Sequence, residues 1–367
     1  MIKSIDKSNV NEKIAALVTG VGGGGYGHEI VKALRLSDYW ILGVDKSSAS
    51  LGLFDVDEAY VIPPATDPDY LKILLDICHR KEIKVLFPGS EPELKVISRE
   101  RQQFLAAGIF LPINLSHVIE MCLDKWATMK FLAGRGFLTP RTQLVQSEEE
   151  IPVDFPLPAV VKPVIGGGGS NNTFLLQEND EMIFACHFLL RQGKGALLQE
   201  YVGTPTDEYT VGVLTNLDGE LMGSIALRRH ILGGLSNRVQ VANRTSRKEL
   251  SPVLAISSGL SQGTIADFPE VRRACESMAE ALQSQGPLNI QCRYVNGKVY
   301  PFEINPRFSG TTYIRALMGF NEPDLLTRHH LLGAPISKPL AYRFGQVVRG
   351  LKEQVVGGKV FKDWNPQ

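Results

Sequence analysis

The chain of 367 residues lacks any imbalance of charge: 39 Lys and Arg stand against 39 Asp and Glu. Global electrostatics therefore selects neither nucleic acid nor an anionic membrane as a partner, and any cationic site has to be local. Cysteine is sparse. The five (Cys78, Cys122, Cys186, Cys275 and Cys292) are far apart, odd in number and without a C-x-x-C pair. That argues against a disulfide framework and suits a reduced, cytoplasmic protein. No apolar run approaches the ~18 residues of a membrane span, and the polar stretch from Met1 to Glu12 has no apolar core of a secretory leader. Internal repeats and long low-complexity segments are missing too. The length leaves room for two or three domains around substantial cores.

What is present begins with Ile14 to Thr19, a short apolar run opening into Gly20-Val21-Gly22-Gly23-Gly24-Gly25-Tyr26-Gly27. The helical pattern His28 to Leu36 follows, then a second strand, Trp40 to Val44, closed by Asp45. This is a Rossmann-like β-α-β. It satisfies G-x-G-x-x-G, with an acid where an NAD ribose would be held, so an NAD-dependent oxidoreductase is one reading. Six glycines in eight residues, however, satisfy almost any glycine pattern. Asp69 to Lys81 reads as a helix, Val85 to Phe87 as a strand and Glu93 to Ala107 as a helix, so that residues 1–115 form one α/β unit. Ser90 and Glu91 come just past the carboxyl end of a strand, where doubly wound sheets hold ligands. They are candidates for substrate contact, against a plain helix N-cap by Ser90.

In the middle of the chain, Asp124 to Leu132 reads as a helix carrying Lys125, which alone would be a solvated charge. Lys162 is different, because it interrupts the apolar strand Leu157 to Val164, where an unpaired ammonium is costly and wants an anion. The turn after it, Gly166-Gly167-Gly168-Gly169-Ser170, leads into a second strand, Thr173 to Gln177. A glycine-rich hairpin can lay backbone N–H groups against phosphates, since no Cβ blocks the approach. It is not a Walker A loop, having no G-K-[ST] and no helix directly after. Ala196 to Gly203 then reads as a strand running out into a linker through Glu200, Tyr201 and Val202, and Asp207 to Leu214 as another. A linker backbone there can pair with an adenine edge, and Glu208 can take ribose hydroxyls.

The most telling stretch is Val299-Tyr300-Pro301-Phe302-Glu303-Ile304-Asn305-Pro306-Arg307. Side chains two apart in a strand share a face, so Glu303 and Asn305 offer a carboxylate and an amide oxygen together, enough for Mg²⁺ when phosphates supply the other ligands. Arg307 stands beside them as a fixed fork for phosphate or carboxylate. Asn289 to Tyr294 reads as the facing hairpin arm. A two-residue Asn296-Gly297 turn would put Gln291 opposite Phe302, on the wrong face. A three-residue turn from Val295 to Gly297 pairs Gln291 with Pro301 and makes Gln291, Glu303 and Asn305 one constellation, which is the expected register.

With these pieces in order the sequence resembles the ATP-grasp superfamily. Within it the chain is similar to one synthetase half of the carbamoyl phosphate synthase large subunit and to free-standing carboxylate–amine ligases. The resemblance rests on an Asp-Lys helix start, V-V-K-P, the glycine turn, Q-E-Y-V before E-Y-T-V, and F-E-I-N-P-R, and runs from about residue 14 to 335. It implies an α/β (α+β) ATP-grasp fold: a Rossmann-like pre-grasp domain over 1–115, a linker helix and small lid over 116–195, a C-terminal lobe with the metal site over 196–340, and a tail over 341–367. It implies Lys125 and Lys162 on ATP phosphates, Gly167, Gly168, Gly169 and Ser170 as the lid turn, and Glu200, Tyr201 and Val202 at adenine with Glu208 at ribose. It implies Gln291, Glu303 and Asn305 on two Mg²⁺ ions, and Arg307 on the transferred or acyl phosphate. Arg229 and Arg238 are the expected further basic residues, and Ser90, Glu91, Ser309 and Gly310 the expected substrate contacts. The activity implied is amide formation between a small-molecule carboxylate and an amine through an acyl phosphate, with a homodimer as the expected assembly. Phosphoryl transfer to a small carboxylate and a non-catalytic ATP-binding module are the other readings. His329-His330 lacks metal-ligand spacing partners and reads as structural.

Overall fold

The structure is a computed structural model that describes residues 13–22, 25–166, 168–336, 340–356 and 361–365. Its first body is a parallel sheet in the order β17-β3-β2-β1-β4. The strands are β1 (Ile14–Val18), β2 (Tyr39–Asp45), β3 (Glu58–Val61) and β4 (Val85–Phe87), covered by α1 (Tyr26–Leu34), α2 (Tyr70–Arg80), α3 (Glu91–Arg99) and α4 (Arg101–Ala106). β2 and β4 are buried at nearly every position, as strands covered on both faces must be. The single helix expected over 93–107 is two helices meeting at Glu100.

Two helices, α5 (Ser116–Leu123) and α6 (Lys125–Gly134), lead into a small antiparallel sheet, order β5-β8-β6-β7. It is made of β5 (Thr142–Val145), β6 (Ala159–Pro163), β7 (Phe174–Leu176) and β8 (Ala196–Glu200), backed by α7 (Asn179–Leu190). Asp124 caps α6 by accepting the Ala127 N–H at 2.9 Å, as its place in the sequence suggests.

The second large sheet contains β9 (Glu208–Thr215), β10 (Leu221–Arg229), β13 (Gly263–Ile265), β14 (Pro287–Val295), β15 (Lys298–Asn305) and β16 (Gly345–Val347). Their order is β15-β14-β9-β10-β13-β16. A separate hairpin, β11 (Asn237–Ala242) with β12 (Val253–Ser257), leans on the small sheet, and α8 (Pro269–Ala281), α9 (Thr312–Leu317) and α10 (Glu322–Leu332) complete the lobe. The end of the chain ties the bodies together. β16 extends the C-terminal sheet, whereas β17 (Lys362–Asp363) pairs in parallel with β3, and the Trp364 indole donates to Asp76 at 2.9 Å. Among the described residues no helix is long and apolar enough to cross a membrane, and all five cysteines are buried and unpaired. His330 is structural: its Nε2 accepts the Leu217 N–H at 3.0 Å.

Candidate functional site

The hairpin of β14 and β15 departs from the expected register in an instructive way. Val295 faces Lys298 across a two-residue Asn296-Gly297 turn, both turn residues having positive φ (51° and 76°), which matches the right-handed twist of the strands. The expected three-residue turn is therefore wrong. A bulge at Phe302 restores the face instead, pairing Cys292 with Pro301 but Gln291 with Glu303 and Asn289 with Asn305. Gln291 and Glu303 touch, Nε2 to Oε2 at 3.1 Å.

The bulge also serves a lysine. Lys162, 7 % exposed on β6, donates to the Phe302 carbonyl at 2.9 Å and to Gln199 Oε1 at 3.0 Å. Lys125 is likewise buried and not solvated. Its backbone N–H is held by the Val164 carbonyl, and its Nζ donates to the Gly166 carbonyl at 2.6 Å and lies 3.7 Å from Glu303 Oε1. Burial lowers the Lys162 pKa to about 8, with Glu303 opposing and Lys125 adding to the shift. For Glu303 burial pushes the carboxyl up, but Lys125, Lys162 and Arg307 outweigh it and hold it below the ordinary range. Two ammonium groups thus converge on one carboxylate in the wall of a cleft between the small and large sheets.

The cleft is lined also by Pro140, Val160, Tyr201, Val202, Tyr300 and Phe302. Tyr201 is fixed by its hydroxyl, which donates to the Ala255 carbonyl and accepts its N–H, both at 3.1 Å. Glu200 pairs with Arg247 at 2.9 Å. Beneath lies a buried ion network: Glu208 faces Arg293 across the β9–β14 ladder, at 3.3 Å, and Arg229 at 2.9 Å. Both carboxylate oxygens of Glu208, which lines the cleft, are held by arginines, so the acceptor expected at a ribose is also a buried counter-ion. Arg229 is buried, and donates also to Ser257 Oγ, the Ser258 carbonyl and Gln291 Oε1. Arg238 is exposed on β11 and does not line the cleft.

Gln291 sits between a guanidinium, which only donates, and a carboxylate, which only accepts. Its amide orientation is therefore fixed by chemistry: oxygen to Arg229, nitrogen to Glu303. Asn305 Oδ1 accepts from Arg307 at 2.9 Å, and its side chain also helps to keep the Glu303 carboxylate ionised. Asn305 Oδ1 keeps a second lone pair, and with the Glu303 carboxylate it offers the few oxygen donors that Mg²⁺ takes from a protein, the Gln291 oxygen being turned to Arg229.

Past Asn305 the site meets the first body. Arg307 lies over the Tyr26 ring at 4.5 Å and donates to Glu91 Oε1 at 3.2 Å and to the Phe308 carbonyl at 3.1 Å. Ser90 does not cap α3 with its hydroxyl but donates to Glu93 at 2.7 Å. Ser309 and Gly310, expected at the substrate, are turned inward: the Ser309 hydroxyl bonds Thr311, and the Gly310 carbonyl accepts from Arg349 at 2.9 Å. Of the glycine turn, Gly168, Gly169 and Ser170 form a tight turn with Ser170 in the cleft wall and donating to the Ser257 carbonyl. Gly167 lies outside the described residues.

Asp45, the acid of the dinucleotide reading, is spent on its own loop. Its carboxylate accepts the N–H groups of Gly22 at 2.8 Å and Ser47 at 3.0 Å, which leaves that reading without its ribose contact. Sequence reasoning missed Arg293, Gln199 and the clasp on Tyr201. Arg293 was visible in principle: Asn289, Gln291 and Arg293 alternate with apolar Ile290 and Cys292, so one polar face carries all three.

Comparisons with known proteins agree with this geometry. Residues 17–112 match a family described as the PylC-like N-terminal domain, and residues 194–354 one described as ATP-grasp in the biosynthetic pathway with Ter operon. The large chain of carbamoyl phosphate synthase from Clostridium beijerinckii is 25% identical over 319 residues. That match takes in 85% of this chain but only 27% of that protein's length. The biotin carboxylase domain of Hydrogenobacter thermophilus 2-oxoglutarate carboxylase, solved with MgADP, ADP and bicarbonate, shares the fold at a TM-score of 0.62 and 16% identity, over 90% of this chain and 72% of that one. The L-amino acid ligase of Bacillus licheniformis does so at 0.62 and 16%, over 88% and 75%. The chain thus joins a PylC-like N-terminal domain to an ATP-grasp domain, in that order, in a fold shared with ATP-grasp ligases.

Proposed function

We propose that the chain is an ATP-dependent carboxylate–amine ligase that binds ATP in the cleft between the two antiparallel sheets. The observation that carries this reading is the convergence of Lys125, Lys162 and Glu303 in a cleft whose walls also carry apolar and aromatic side chains. The buried lysines neutralise phosphates, and the apolar walls take a base. Glu303 and Asn305, with Gln291 behind them, would hold Mg²⁺, which when bound neutralises and orients the phosphates.

In this reading a substrate carboxylate oxygen attacks the γ-phosphorus and ADP departs. An amine then attacks the acyl phosphate carbon, and phosphate leaves. Lys162 and Lys125 stabilise charge on the transferring group, and Arg307 steadies the acceptor carboxylate. Catalysis is positioning and electrostatics in a site preset by the bulge at Phe302. The test is ADP release from MgATP with pooled carboxylic acids and amines, beside Glu303→Ala. Stimulation by a pool, lost in the variant, supports a ligase. ATP binding without stimulated turnover by any pool would leave a nucleotide-binding module.

A further inference from the structure

Arg307 and Glu91 form an ion pair that crosses from the metal strand to the first body, 3.2 Å apart and with both side chains only partly covered (15 % and 24 % exposed). Arg307 is anchored from behind by Asn305 Oδ1 and the Phe308 carbonyl, and Glu91 stands at the first turn of α3. Around them are donors with nothing to donate to. The Tyr26 hydroxyl, on a residue 6 % exposed, has no partner, nor has Arg307 Nε. Burial raises the Tyr26 pKa well above its ordinary value, so the hydroxyl keeps its proton as a donor. A buried donor left unpaired is costly, and such groups mark places where a ligand completes the bonding.

We infer that this junction recognises a free α-amino acid as the acid substrate, its carboxylate on Arg307 and its ammonium on Glu91. The inference rests on the ligase reading above and narrows its substrate class. A zwitterion carries opposite charges a few ångströms apart, the same separation as the protein's pair, so it lies antiparallel on that pair without parting it. A plain carboxylate would satisfy Arg307 but face the Glu91 charge unpaired, and that repulsion selects against it. The carboxylate is then next to Asn305 and Glu303, on the side of the cleft where the phosphates lie.

The experiment uses MgATP with hydroxylamine as a general nucleophile, and reads ADP and hydroxamate for each free amino acid, L and D, beside its N-acetyl and des-amino counterparts. At least one free amino acid yields hydroxamate, and its counterparts give about one-tenth or less. Glu91→Gln raises the half-saturating concentration of that amino acid about 10- to 100-fold, the loss expected for one charge-assisted bond, and leaves that of the des-amino acid unchanged or lower. Glu91→Asp regains part of the loss, and melting curves confirm that both variants fold. Equal use of des-amino acids, no use of any free amino acid, or a Glu91→Gln defect that falls equally on both classes overturns the inference. The ligase reading itself survives the first and third of these and fails only if no acid of any class turns over.

Discussion

The turns after β1 and after β6 are both runs of glycine, yet their glycines answer different needs. In the first, side chains are excluded by the protein itself: a Cβ on Gly20 would strike the Glu93 carboxylate, and one on Gly27 the Gly20 carbonyl. Its Gly22 N–H is drawn to Asp45, and the acids Glu91 and Glu93 lie close by. In the second, a Cβ on Gly166, Gly168 or Gly169 would meet nothing within 4 Å, and the nearby charges are the ammonium groups of Lys125 and Lys162. Glycine in one place closes a packed corner, and in the other leaves an open approach beside cations. The composition of a loop does not tell these apart, but its neighbours do.

That contrast can be broken most severely at the lysine. Lys162→Met should reduce stimulated ADP release by ~10²–10³-fold, whereas Asp45→Asn in the first loop should leave MgATP affinity at the wild-type value, as calorimetry on both variants would show. Next in size is the buried network below the cleft. Arg293→Met leaves the Val202 and Gly203 carbonyls and one side of Glu208 without their donor. It should cost about 3 kcal/mol or more in chemical denaturation, the scale of a broken buried ion pair.

A milder probe is pH. Lys162 in the free protein holds its proton below about pH 8 and loses it above, while phosphate favours the charged form. MgATP affinity should therefore be full below pH 8 and decline as pH rises through it. Above that pH binding takes up a proton, which calorimetry in buffers of different ionisation enthalpy reads directly. The Asp45→Asn change should cost about 1.5 kcal/mol, since the amide nitrogen cannot accept and one of the two bonds from backbone N–H is lost. Smallest is Arg238→Ala, exposed on β11, for which unchanged MgATP affinity is expected, and a loss would place it at the phosphates in a closed form.

Much of the site was legible because its physics is local. A lysine in an apolar strand, glycines after it, and Glu303 two residues before Asn305 each announce a constraint within a few positions. Strand pairing was harder. The face of Gln291 was read correctly but for the wrong reason, since a bulge at Phe302 and a longer turn both shift register by one, and nothing in the local sequence separates them. Long-range charge was not legible at all. That Glu208 would pair with both Arg229 and Arg293, or that Glu91 would meet a residue 216 positions later, depends on sheet order and domain packing. The helix α7 escaped notice because Ile183, Phe184 and Phe188 are exposed apolar residues that blur its periodicity.

The account stands or falls on which nucleotide binds and where. Calorimetric titration of the wild-type chain and of Lys162→Met with MgATP and with NADH tests it in one series. One MgATP site, lost or greatly weakened in the variant, and no NADH binding are the predicted results. NADH binding, or MgATP binding that Lys162→Met leaves intact, would contradict it.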